Sequence, residues 1–234
     1  MVNATPDDKL SATLAMIRSF VPEFSWVWKS DCWYHKAIGW VFNKLGMAGY
    51  NNFFYTTLRY TVGRPNDAKN NGVSEEWQYF CHEGQHSVDA KNLAFPLFAL
   101  IYGFPQILAG LAVPLAILLV LTTHSWVGLL GLLVLLFASP LPAIGRVWAE
   151  LRGYRVSLSV IYWYSGIPEY LEQTCLDAYQ SYFTGPSYYF MGFFYKNYVQ
   201  KKLRYYLDQL KSGRGYQGDP YLTAVRELAL SFLQ

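Results

Sequence analysis

Two histidines four residues apart, with a glutamate beside the first, stand at Cys81-His82-Glu83-Gly84-Gln85-His86. On a helix, residues i and i+4 share one face, so both imidazoles can reach a single metal ion. Glu83 projects to the side of that face, where it can take a proton from a metal-bound water. One segment thus supplies two ligands and a general base, the arrangement of a metal-dependent hydrolase. The chain has only four histidines, His35, His82, His86 and His124, which makes the spacing informative. The plain alternative is a solvated helix on which two histidines happen to stack.

Catalytic zinc generally takes three protein ligands and keeps one position for water. Neither His35 nor His124 is well placed by sequence, so the third ligand should be a carboxylate. Asp89 is the near candidate, because i+3 from His86 and i+7 from His82 keep it on the ligand face. It can serve instead as an acceptor that orients one imidazole. Glu150, in Trp148-Ala149-Glu150-Leu151-Arg152-Gly153-Tyr154, is the distant candidate. A same-helix ligand one turn on would have to bend back, whereas a facing helix points straight at the ion. Glu150 is therefore taken as the third ligand, with Asp89 behind it.

These side chains need elements to hold them. Val73-Ser74-Glu75-Glu76 reads as a helix start, with Ser74 as N-cap and two glutamates at the positive end of the dipole. Upstream, Phe53 to Val62 is rich in aromatic and β-branched residues and is ended by Gly63-Arg64-Pro65-Asn66. That pattern predicts a strand and a turn. Such a strand beside a metal-binding helix can pair with an extended peptide substrate.

From Leu93 to Gly145 there is no Asp, Glu, Lys or Arg. A spanning helix needs about twenty apolar residues, so the stretch has room for two around Thr122-Thr123-His124-Ser125. Pro96, Pro105 and Pro114 are expected to kink the first. An antiparallel hairpin would bring its ends within about 10 Å, and so bring Glu150 to His86. The fold expected is mainly α with a small β element: zincin-like metal-binding helices interrupted by a transmembrane helical hairpin. Its parts are an N-terminal zincin-like region, 1–92, the hairpin, 93–145, and a C-terminal helical region, 146–234, which holds the third ligand.

Lys91 before the hairpin and Arg146, Arg152 and Arg155 after it place both ends in the cytoplasm, with His124 at the outer tip. No secretory leader is read in the polar start Met1 to Asp8. Cys32, Cys81 and Cys175 imply no disulfide framework. Charged residues make up 15% of the chain and aromatics 18%, yet mean hydropathy is only +0.09. Those values fit one inserted hairpin in an otherwise interfacial or soluble protein. The net charge of +3, without a basic patch, argues against nucleic acid as a partner. Ring-rich segments at Phe24–Trp28, at Trp33-Tyr34 and from Tyr188 into Lys196 suit either a headgroup layer or a core-facing helix with a wet cationic side. A loop from Lys211 to Pro220 leads to a short terminal helix.

H-E-x-x-H, a pair of apolar segments and then a glutamate resemble the membrane-embedded zinc metalloproteases of the CAAX prenyl protease and heat-shock membrane protease class. The similarity covers roughly residues 74 to 160. That class commonly has Ala and Asp at the third and fourth places after its glutamate, where this chain has Gly153 and Tyr154. Glu-Leu-Arg-Gly-Tyr is also similar to the glutamate segment of small zincin-like proteins encoded by tailed phages. The resemblance implies zinc held by His82, His86 and Glu150, Glu83 as the base, and a peptide or protein substrate cleaved at a membrane. Tyr154, four residues after Glu150, can face an oxyanion or simply pack. The rival is a non-catalytic membrane-active protein, for instance a virion component, in which a metal staples Glu150 to the motif helix. A lipid or peptidoglycan hydrolase using the same ion is a third reading.

Overall fold

A capping box opens the first helix, α1 (Pro6–Phe20): the Thr5 hydroxyl accepts from the Asp8 amide at 3.2 Å, and the Asp8 carboxylate accepts from the Thr5 amide at 3.1 Å. The computed structural model describes residues 4–44, 50–53, 55–71, 75–124, 126–138, 141–185 and 192–234. The expected Ser74 cap lies outside them. The chain is mainly helical, with one three-stranded sheet.

The single strand expected over 53–62 is two strands. Phe53 ends the short helix α3 (Tyr50–Phe53), which follows α2 (Trp33–Lys44). The segment after it forms β2 (Thr56–Leu58) and β3 (Thr61–Arg64), reversing through Arg59 at φ 59°. Glycine is the usual marker of such a left-handed turn, and none stands there. Gly63-Arg64, expected as a turn, completes β3. β3 is the central strand, parallel to β1 (Ser25–Trp28) and antiparallel to β2, which forms an edge. α4 (Asn66–Asn71) follows.

The motif lies on α5 (Glu76–Asn92), which is buried continuously from Phe80 to Ala90. It is sandwiched between α1 and the long α8 (Ile144–Tyr164). α9 (Glu169–Thr184), α10 (Lys196–Lys211) and α11 (Pro220–Ser231) complete the chain. α8 is shared by two cores. Val156 and Val160 join Ile17, Trp77, Phe80 and Val225, whereas Leu151 and Leu158 join Leu176, Leu203 and Leu207. On α10, Val199, Leu203 and Leu207 follow the four-residue helical step and are all buried. The ring-rich, cationic C-terminal stretch is thus, from Lys196 on, a core-facing helix with its lysines outward.

The apolar stretch breaks into pieces. α6 (Phe95–Gly103), a 3-10 segment (Gln106–Leu111), α7 (Ala112–Thr123) and a second 3-10 segment (Trp126–Ala138) run in sequence. Among the described residues, no helix is long and apolar enough to cross a membrane. Among the described residues the expected pair of spanning helices is not formed; prolines mark the breaks in the first arm, while the second arm, Trp126–Ala138, holds none and is wound as a 3-10 segment. Pro96 lies at the start of α6 and Pro114 in the first turn of α7, where a missing N–H costs no helical hydrogen bond. Pro105 directly precedes the first 3-10 segment, and α6 ends before it. Apolarity persists while the helix restarts. α7 nonetheless packs against the second 3-10 segment, so the stretch does double back at His124.

A buried ion pair fastens the sheet to α5. Arg64 Nε donates to Glu76 Oε1 at 2.7 Å, its Nη2 reaches Oε2, and its guanidinium lies over Trp28 at 3.9 Å. Removing one member of such a pair strands the other in the core. Arg64→Leu should therefore cost about 3–5 kcal/mol of stability. Adding Glu76→Leu should recover much of that loss. Urea denaturation of the two variants checks both, and equal instability of single and double variants would refute the pairing account.

Candidate metal centre

α5 and α8 face each other with the ligand candidates on the shared side. His82 Nε2 stands 3.5 Å and His86 Nε2 3.7 Å from Glu150 Oε2. One ligand atom from each of the three residues lies within 4.8 Å of the others, and all three side chains are buried. Tetrahedral zinc with bonds of about 2.0–2.1 Å separates neighbouring ligand atoms by about 3.3 Å. The two measured gaps are close to that edge length, and long for good hydrogen bonds.

The donors are also prepared for a cation. Glu150 is 2% exposed, and its Oε2 finds no hydrogen-bonding partner among the described residues. A buried, unsatisfied carboxylate oxygen is costly unless something positive meets it. The Ser157 hydroxyl donates to the Gly153 carbonyl at 3.4 Å and lies 2.9 Å from His82 Nδ1. Ser157 thereby orients the His82 ring so that Nε2 faces Glu150. Burial pulls the His86 imidazole down, but the Glu150 carboxylate, with Glu83 and Asp89 adding to it, raises it to about 9. Burial likewise raises Glu150, and the two imidazoles hold it well below the usual carboxylate range. The local field favours positive charge, and the three donors fit a divalent ion.

Several supporting groups carry no motif signal. Thr57 on β2 donates to Glu83 Oε2 at 2.6 Å, tying the proposed base to the edge strand. Tyr102 on α6 donates to Glu150 Oε1, and burial beside that carboxylate pushes its phenol well up, so it stays a donor. Ser157 could have been found, since it stands seven residues after Glu150 on the same helical face. Tyr102 could not, because it sits in a run read only as apolar.

The remaining sequence candidates are placed as follows. Asp89 is 3% exposed and accepts from Arg152 Nε and Gln85 Nε2, both at 2.8 Å. Tyr154 stands edge-on to His82, with ring centroids 4.8 Å apart, and also packs against Tyr179 and Phe183. His35 is buried on α2 with its Nδ1 2.9 Å from the Tyr50 hydroxyl, and His124 is exposed at the turn after α7. The cations read as topological markers have partners in the fold: Lys91 bonds the Phe20 carbonyl, Arg146 the Tyr102 carbonyl and Arg155 the Asp219 carboxylate.

Compared with protein-family profiles, curated proteins and solved structures, the chain matches none.

Gly153 makes room for the site. A Cβ there would stand 2.5 Å from His82 Nε2, closer than a carbon side chain tolerates. With zinc bound at this site, Gly153→Ala should displace the ring and weaken retention of the ion by about 10–100-fold, the range typical when a ligand loses its support. Competition with a chelator measures this, and circular dichroism should show the helices intact. Undiminished retention would mean that His82 does not hold the ion.

Proposed function

We propose that the chain is a membrane-associated, zinc-dependent metallopeptidase. The observation that carries this reading is the meeting of His82, His86 and Glu150 around Glu150 Oε2, which has no hydrogen-bonding partner among the described residues, with Glu83 one residue from the first histidine. His82, His86 and Glu150 would hold zinc, which would supply Lewis acidity to polarise a carbonyl and make water acidic near neutral pH. Glu83 takes the proton of the attacking water on its carboxylate and passes it to the leaving amine. The Thr57 hydroxyl on Oε2 restricts Glu83 to one orientation, so its other oxygen handles the proton. β2 is an edge strand and supports the reading of an extended peptide substrate beside Glu83. Tyr154 borders His82 and is the residue assigned to oxyanion stabilisation, while Asp89 and Arg152 brace the outer side of the site.

The apolar finger supports membrane association. Ile117, Leu118, Leu121, Trp126, Leu133 and Leu136 are all more than half exposed, on both arms of the doubled-back stretch. Six large apolar side chains this exposed within one short stretch are unusual on a protein surrounded by water. α7, at 12 residues, rises about 18 Å, against a hydrocarbon core of about 30 Å. The finger is therefore read as entering one face of the bilayer, with the metal centre at its base. The cytoplasmic side remains the assigned side, with a virion surface as the other setting.

Glu83→Gln separates enzyme from structural metal protein. The variant should retain zinc and lose cleavage of an unfolded protein by at least about 100-fold, the lower end of general-base contributions. Wild-type protein that binds zinc but cleaves no peptide, lipid or peptidoglycan substrate would favour the virion-component reading. On vesicles, Leu118→Glu with Leu133→Glu should abolish co-flotation, and unchanged flotation would count against the finger as the membrane anchor.

A further inference from the structure

We propose that Tyr102, on the first helix of the apolar stretch, is the positioning residue that makes Glu150 a one-oxygen ligand. This inference rests on the metal reading above and goes beyond it to the residue that sets the coordination. The two oxygens of Glu150 have different surroundings. Oε1 accepts the Tyr102 phenol, while Oε2 has no hydrogen-bonding partner among the described residues and faces both imidazoles at 3.5 and 3.7 Å. A carboxylate free at both oxygens can close on an ion with either or both. Here the phenol engages one oxygen and directs the other inward. Two imidazoles and a single carboxylate oxygen would hold a metal ion with three donors and leave room for the water that hydrolysis requires.

Tyr102 is itself held from the helix that carries the ligand. Arg146, one turn before Glu150 on α8, donates from Nε to the Tyr102 carbonyl at 3.2 Å, and its guanidinium lies 5.2 Å from the ring centroid. The ring packs against Phe98 at 5.9 Å and against His86 at 6.1 Å. Phe98 and Tyr102 are i and i+4 on α6, so one face of that helix roofs the centre. The apolar stretch thereby contributes a wall and a hydrogen bond to the site, in addition to any contact with lipid.

Tyr102→Phe removes the hydroxyl and keeps the ring with its packing, so the fold should persist, as circular dichroism would confirm. Purified wild-type and variant proteins would be loaded with zinc and challenged with a chelator, then loaded with cobalt(II) for absorption spectra. The expected result is about 10–100-fold weaker zinc retention in the variant. Its cobalt spectrum should also weaken and shift as Oε1 joins the ion and the coordination number rises. Equal retention with superimposable cobalt spectra would overturn the role of Tyr102 and leave the metal reading standing. Failure of the wild type to bind either metal would defeat both.

Discussion

A carboxylate buried between two imidazoles is the constraint on which the rest of this structure depends. Glu150 lies deep between α5 and α8, where moving a charge out of water costs several kcal/mol after relaxation. Its surroundings answer that cost in parts: a phenol on Oε1, and two ring nitrogens near Oε2 that stand slightly too far away to satisfy it as hydrogen-bond donors. The distances suit a small cation shared by the three better than direct contact. A core arranged only for stability would gain by filling this space with apolar side chains.

α8 has to serve that constraint and two cores together. Val156 and Val160 pack toward α1, α5 and α11, Val147, Leu151 and Leu158 toward α9 and α10, and between them run Glu150, Gly153 and Ser157 on the face toward α5. These positions follow the three- and four-residue steps of a helix, so they form one stripe. Gly153 clears space for the His82 ring and Ser157 orients it, both from the helix that also presents the third donor. The stripe needs the register between α5 and α8 to be fixed, and the packed cores on either side fix it. Arg64 and Glu76 add a polar lock at the start of α5, and Thr57 links β2 to Glu83.

The apolar stretch has two roles that its composition alone does not separate. Near Phe98 and Tyr102 it is part of the interior around the candidate metal centre, and further out it is a doubled-back finger with leucines exposed on both arms. In the first arm prolines stand where the hydrogen-bonded ladder stops and restarts, before the first 3-10 segment and in the first turn of α7. Uncharged residues in a row report the surroundings a segment prefers. They do not report how far it runs without interruption.

The sequence by itself placed the His82 and His86 imidazoles together, with Glu83 beside them, because i and i+4 on any helix lie on one face whatever surrounds it. It also determined a mainly helical chain with a small sheet, and the doubling back at His124. It did not determine the turn at Arg59, since no glycine or asparagine marked the left-handed residue, and so one strand was expected where two form. Periodicity could nominate Glu150 and Asp89 as carboxylates able to reach a shared ion. Only the packing of α5 against α8 decided that Glu150 meets the imidazoles while Asp89 takes up Arg152 and Gln85. Tyr102, Thr57 and Gly153 acquire their roles from distances between elements far apart in the chain. Local spacing carries no record of such distances, which arise when the cores close and set the helices at one separation and register.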